Sequence, residues 1–279
     1  MKRILTFILT LTMAFSFCVN SFAATTTATA SETQTDTSKT QAASSETQAD
    51  TSKTQATSSE TQAASPKAPA GTSYGISNLS GAPDIVAESA VIMDANSGAV
   101  LYGKEANTKR YPASITKVMT ALLAVENCKM NDVITYSNAA VNGIEAGSST
   151  AGINVGAKLT VADSLYALML VSANEAAAAI AEHISGSTTE FAKLMTKRAK
   201  ELGCTNTQFK NPHGLPDEEH YTTAHDMGLI LKEAMKYEEF RKIAGTISYT
   251  LKKSDTLKDT LELWNHAKIL RENSDYYYK

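Results

Sequence analysis

The chain has 279 residues, 26 Lys plus Arg against 29 Asp plus Glu, a net charge of −3 and 43% hydrophobic residues. Neither a basic excess nor a basic stripe is present, so no nucleic-acid partner is expected. Three cysteines are too few for a disulfide scaffold. Residues 1–23 read as a secretion signal. Lys2 and Arg3 give the positive start, residues 4–19 the apolar core, and Ser21-Phe22-Ala23 a small-residue cleavage site. The alternative is a retained membrane anchor: the apolar run is marginally long enough for one, but it is short for a bilayer span and ends in a cleavage site. Cys18 follows Phe15-Ser16-Phe17, a poor approach to a lipid-modified cysteine. Removal of the signal leaves Cys128 and Cys204, either as one disulfide or as two buried thiols.

Residues 24–81 form a Thr/Ser/Gln/Ala-rich linker. Ser31-Glu32-Thr33-Gln34 recurs at Ser45 and again at Ser59, a fourteen-residue period. Each repeat lacks apolar residues to bury and cannot offset its ordering entropy, so the segment is expected to be a disordered spacer. The folded domain is expected over 82–279. A strand over 88–94, a turn at Ala95-Asn96-Ser97-Gly98 and a returning strand over 99–102 make a hairpin. A proline-led apolar helix over 111–124 follows, with Ser114 and Lys117 in its first turn. A short strand is expected over 132–136 and an irregular connection over 137–159. Thr160-Val161-Ala162-Asp163 reads as a capping-box start, with Leu165, Leu168 and Met169 on the inward face. That helix breaks at Ser172-Ala173-Asn174 and a second runs over 175–184. Further helices are expected over 187–202 and 223–235, then a strand pair over 246–251 and 260–264. The pattern is α/β or α+β, mostly helical after an N-terminal hairpin, in roughly 200 residues, enough for one core.

The chemistry concentrates at two places. Residues three apart on a helix share a face, so a Ser114 hydroxyl and a Lys117 amine lie side by side: a nucleophile with a base one turn away. Burial would lower the lysine's proton affinity, and the helix N-terminus favours a developing oxyanion. Taken alone, Ser-x-x-Lys occurs on the order of once by chance in a chain this long, and a capping serine beside a solvated lysine explains it equally. The second place is Ser172-Ala173-Asn174. Two polar side chains interrupt two apolar helices there; they serve either to relay a proton and hold a substrate carbonyl, or merely to cap the helix beginning at Glu175. His213, His220 and His225 lie close in sequence, but without a metal-ligand spacing they read as structural or surface residues.

Together, in this order and in a chain with a secretion signal, these motifs resemble the penicillin-recognising serine enzymes. The chain is similar to the low-molecular-weight penicillin-binding proteins, the D-alanyl-D-alanine carboxypeptidases of peptidase family S11. The residues that carry the resemblance include Val91-Ile92-Met93-Asp94-Ala95-Asn96-Ser97-Gly98, Tyr111-Pro112-Ala113-Ser114-Ile115-Thr116-Lys117, Ser172-Ala173-Asn174-Glu175-Ala176-Ala177 and Phe209-Lys210-Asn211-Pro212-His213-Gly214-Leu215-Pro216. The resemblance implies a transpeptidase-like fold shared with serine β-lactamases. It also implies an extracytoplasmic protein, with wall or membrane association, that removes the terminal D-alanine from peptidoglycan stem peptides. Ser114 would be the nucleophile, Lys117 its base, Ser172 a proton relay and Asn174 a substrate-binding residue. β-Lactams would acylate Ser114, and no metal or organic cofactor is implied. The family's third motif, Lys-Thr-Gly, does not occur in these 279 residues. The expectation is therefore of a catalytic domain incomplete at its C-terminus, with impaired activity. The competing readings are a non-catalytic peptidoglycan-binding remnant and a serine β-lactamase.

Overall fold

A computed structural model of the chain describes residues 85–270. The expected signal segment and the repeat linker lie outside the described residues. The elements run β1 (Ala90–Met93), β2 (Val100–Lys104), a 3-10 turn (Ala113–Thr116), α1 (Lys117–Asn127), β3 (Val133–Thr135), α2 (Asn138–Asn142), β4 (Lys158–Thr160), α3 (Val161–Leu170), α4 (Asn174–Ser185), α5 (Thr188–Glu201), α6 (Ala224–Ala234), α7 (Glu238–Ala244), β5 (Ser248–Leu251), β6 (Leu261–Trp264) and a final 3-10 turn (Lys268–Leu270). The described region is thus α+β and mostly helical.

Local chemistry accounts for most boundaries. Thr160 caps α3 through a complete capping box: its hydroxyl accepts from the Asp163 N–H, and the Asp163 carboxylate accepts from the Thr160 N–H. Ser137, Ser187 and Thr223 cap α2, α5 and α6 in the same way from their side chains. Gly186 closes α4 with φ +76°, a left-handed conformation that glycine adopts without steric cost. The described strands pair as three two-stranded antiparallel ladders, β1–β2, β3–β4 and β5–β6, the first with a bulge between Ile92 and Met93.

The core is built from α1, α3, α4 and the inner face of α5. Met119, Leu122, Leu123, Leu165, Leu168, Leu170, Ile180, Phe191 and Met195 are among its fully buried side chains. In α4 the run from Ala176 to Ala181 is buried almost throughout, and such small side chains let neighbouring helices approach closely. The β1–β2 hairpin lies on α6, where a Cβ at Gly228 would press on Val91 and Met93.

Three expectations are corrected. The helix expected over 111–124 begins as a 3-10 turn, and its α-helical part starts only at Lys117. Ala113 takes φ +48° there, so Ser114 precedes the helix instead of sitting in its first turn. The connection over 137–159 is not wholly irregular: it holds α2 and β4, which the Gly, Ser and Asn content obscured. A short helix, α7, also follows α6, and Phe240 and Ile243 anchor it in the core.

Candidate active site

Ser114 is half-buried on the 3-10 turn, and the next helical residues turn inward. Lys117 is 3% exposed. Its Nζ donates to Ser114 Oγ across 3.2 Å and to the main-chain oxygen of His213 across 2.8 Å. Burial lowers the amine's pKa to about 7, with the Glu175 charge pulling the other way. A lysine at about 7 exists partly as the free amine near neutral pH, as a general base requires. Burial, the cause the sequence suggested, is thus the operative one.

A loop far along the chain holds this turn in place. Thr120 Oγ1 donates to the Pro212 carbonyl at 2.6 Å, beside the His213 carbonyl that receives Lys117. Asn211 Oδ1 accepts from the Gly214 N–H at 2.7 Å, and its Nδ2 donates to Leu215 O at 2.9 Å. Gly214 has φ +90°, and a Cβ on it would collide with the Ala113 carbonyl and come within 2.9 Å of Thr116 Oγ1. Only glycine permits that approach. Behind the turn, buried His220 accepts from the Lys210 N–H through Nδ1 at 3.2 Å. Its Nε2 therefore carries the proton and donates to Thr116 Oγ1 at 2.9 Å. Burial depresses His213 to about 3, helped by Lys117 and His220, and depresses His220 to about 4.

The Ser172-Ala173-Asn174 break is not explained by capping. Ala173 is the N-cap of α4, and no side chain caps that helix. Ser172 takes φ +60°, is 4% exposed, and its Oγ has no hydrogen-bond partner among the described residues. A strained backbone presenting an unpartnered buried hydroxyl is costly unless something else needs it there. Asn174 is 3% exposed, and its N–H donates to Ser149 O at 2.9 Å. No Lys117–Asn174 hydrogen bond occurs among the described residues; the lysine bonds to Ser114 and His213. Helix α4 packs on α1, and Glu175, which follows Asn174, acts electrostatically on Lys117.

The sequence did not single out Thr116, Thr120, Gly214, His220 or the His213 carbonyl as working parts. The motif around Asn211-Pro212-His213-Gly214 was visible, but a carbonyl that meets a lysine 96 residues away leaves no local pattern. The three histidines are structural: His213 and His220 hold the loop, and the His225 N–H donates to Ala106 O. Cys128 and Cys204 are both free thiols, so the disulfide alternative is not realised; burial pushes Cys204 up to about 12. A separate groove, lined by Glu88, Arg110, Tyr111, Pro112, Ile115 and Tyr221, touches the outer flank of the same turn but includes none of Ser114, Lys117, Ser172 or Asn174.

Residues 77–277 match the family described as D-alanyl-D-alanine carboxypeptidase, peptidase S11. The D-alanyl-D-alanine carboxypeptidase DacF of Bacillus subtilis is 42% identical over 177 residues, 62% of this chain and 45% of that protein. The chain spans about half the length of the curated relatives it matches. Among solved structures, the Streptomyces K15 DD-transpeptidase aligns with a TM-score of 0.62 at 32% identity, covering 69% of this chain and 78% of that one. Penicillin binding protein 5 from Haemophilus influenzae aligns with a TM-score of 0.61 at 32% identity, covering 68% and 55%.

Proposed function

The chain belongs to the peptidase S11 family of D-alanyl-D-alanine carboxypeptidases, and on that premise we propose that it is a serine D,D-carboxypeptidase acting on peptidoglycan stem peptides that end in D-Ala-D-Ala. The observation that supports this reading most directly is the buried Lys117 amine, with a pKa of about 7, 3.2 Å from Ser114 Oγ.

In the proposed reaction Ser114 Oγ gives its proton to the Lys117 amine as it attacks the carbonyl carbon between the two D-alanines. The positive end of α1 lies next to the developing oxyanion. The carbon–nitrogen bond then breaks. The departing D-alanine nitrogen takes a proton that passes from Lys117 through Ser172, whose hydroxyl has no partner among the described residues. Asn174 holds the substrate carbonyl. Water, deprotonated by Lys117, hydrolyses the acyl-enzyme and restores Ser114. β-Lactams enter the same sequence as mimics of the terminal dipeptide and stop at the acyl stage. The domain carrying this chemistry is proposed to begin near residue 82, after a signal peptide over 1–23 and a spacer over 24–81. Its place of action is proposed to be outside the cytoplasm, at the wall or the outer membrane face. Among the described residues no helix is long and apolar enough to cross a membrane.

The test is a fluorescent penicillin applied to the purified chain, followed by mass spectrometry on a pentapeptide ending in D-Ala-D-Ala. Labelling that disappears in Ser114→Ala supports the carboxypeptidase reading; stable labelling together with release of D-alanine would overturn the expectation of impaired activity in a chain without Lys-Thr-Gly. Peptidoglycan binding with neither labelling nor release would select a non-catalytic wall-binding module. Rapid turnover of a chromogenic cephalosporin would select a β-lactamase.

A further inference from the structure

Next to the Ser172–Asn174 turn stands a carboxylate to which the proposed reaction gives no part. Glu175 is 1% exposed. Its Oε1 accepts three successive main-chain N–H groups, from Ala151 at 2.7 Å, Gly152 at 3.0 Å and Ile153 at 3.4 Å. Gly152 takes φ +84°, which curls the backbone so that these N–H groups converge. Such a concavity of successive amides favours an anion. The same loop is tied back at Ser149, whose carbonyl accepts the Asn174 N–H at 2.9 Å. The loop is therefore fastened to the start of α4 from both sides. Glu175 Oε2 has no partner among the described residues.

A purely structural role would not need the charge. A first-turn acidic residue ordinarily faces its own helix N-terminus at the surface. Glu175 is instead buried, where ionisation is costly; that burial raises its pKa against the pull of the amides. A glutamine oxygen could accept the same N–H groups at lower cost. One group that senses the charge is Lys117, on α1, against which α4 packs; there Glu175 opposes the effect of burial. The other titratable group facing Lys117 is His213, on the 209–216 loop, with His220 behind it through Thr116. Burial keeps both histidines neutral at pH 7. On the β3 side the Glu175 charge also reaches the Tyr136 phenol, which is fully buried, bonded to Ser164 and neutral throughout the working range.

We propose that Glu175 is a positioning residue for the acylation centre: it seats the 149–153 loop on the Ser172–Asn174 turn and presents a buried negative charge to the Lys117 amine. The assignment rests on the reading of Ser114 and Lys117 given above. Asn174 is thereby held at its backbone and Lys117 is tuned from the same side chain.

The test uses the full chain with Glu175→Gln, which keeps an acceptor oxygen and removes the charge, and Glu175→Ala, which removes both. The Lys117 side chain is titrated by NMR in 13C-lysine-labelled protein, its signal assigned by loss in Lys117→Met. Amide exchange at Ala151, Gly152, Ile153 and Asn174 is followed, and penicillin acylation is measured against pH. Glu175→Gln is expected to keep native amide exchange and to move both the Lys117 titration and the acid limb of acylation down together by roughly half a unit to one unit. Glu175→Ala is expected to speed exchange at the four amides by about tenfold or more and to slow acylation at every pH. An unmoved Lys117 titration in Glu175→Gln overturns the electrostatic role, even if Glu175→Ala fails to fold. Unchanged exchange in a folded Glu175→Ala overturns the loop-seating role. A wild-type chain that no penicillin acylates would refute the carboxypeptidase reading instead, and the titration and exchange would still decide the case of Glu175.

Discussion

Lys117 Nζ donates to the main-chain oxygen of His213 across 2.8 Å, joining the first turn of α1 to a loop 96 residues later. The same nitrogen is 3.2 Å from Ser114 Oγ. The loop carbonyl therefore aims the lysine at the serine, while burial strips the amine of water. Position and proton affinity of the Lys117 amine come from one arrangement.

The pH dependence of acylation follows. In the proposed reaction only the neutral amine takes the Ser114 proton, and burial brings Lys117 to about 7. Acylation by penicillin should rise by up to about tenfold per pH unit below that value and level off above it. Stability carries the opposite imprint of the same burial. An unfolded lysine titrates near 10.5, so between about 7 and 10.5 the unfolded chain binds the extra proton. Stability should then climb with pH across that window, and the burial penalty is complete below about 7. Lys117→Met should accordingly stabilise the protein at pH 6, by on the order of 1–2 kcal/mol in urea unfolding, and the gain should shrink toward pH 10.

Ser172 combines strained backbone with a hydroxyl that has no partner among the described residues. Ser172→Gly relieves the φ of +60°. It should raise stability by about 1 kcal/mol while slowing D-alanine release by roughly a hundredfold or more. Thermal unfolding and the release assay, run on one preparation, check both halves. A variant that loses stability would show that the hydroxyl serves the fold.

Gly214→Ala tests the clasp on the Ser114 turn. The new methyl meets the Ala113 carbonyl and Thr116 Oγ1 in a left-handed backbone. The expected cost is about 2–4 kcal/mol, with loss of most penicillin labelling because Ser114 is displaced from Lys117. Chemical denaturation and labelling stoichiometry measure the two effects. Gly147→Ala is a control for φ alone, since Gly147 has φ +82° and open space around its Cβ position; it should cost only about 1 kcal/mol.

His213 and His220 should make the fold acid-sensitive. Their folded values, about 3 and about 4, lie below the ordinary 6.5. Between those limits the unfolded chain holds more protons, so stability is lost as pH falls below about 6.5. Each histidine should contribute on the order of 1–2 kcal/mol of that loss by pH 5. Urea midpoints at pH 7 and pH 5 measure it. A weaker acid dependence in His220→Gln than in the wild type is expected, whatever that variant's stability at pH 7.

How much of this was legible in the sequence depends on the range of the interaction involved. The capping box at Thr160 and Asp163, the caps at Ser187 and Thr223, the hairpin at Asp94 to Ala99 and the two polar sites at 114–117 and 172–174 are set by residues a few positions apart. Propensity and spacing report such contacts directly. Ser114 and Lys117 were recognisable as a pair for that reason, and the order of the motifs supplied the family. Short elements anchored by distant partners were not legible. α2 and α7 depend on single buried residues such as Ala140, Phe240 and Ile243, which no periodicity over so few positions can reveal. The 3-10 start before Lys117 depends on Gly214, whose missing side chain lets the 209–216 loop reach Ala113. Whether Ser172 caps a helix or stands unpartnered was likewise open until its surroundings were known. The sequence by itself determined which polar groups stand at the two proposed sites, Ser114 with Lys117 and Ser172 with Asn174. The tertiary structure decided their state: burial that lowers the lysine, a carbonyl that aims it, and a strained turn that holds a hydroxyl without a partner among the described residues. Proton affinity and orientation are properties of an environment assembled from segments about a hundred residues apart, and no local pattern encodes them.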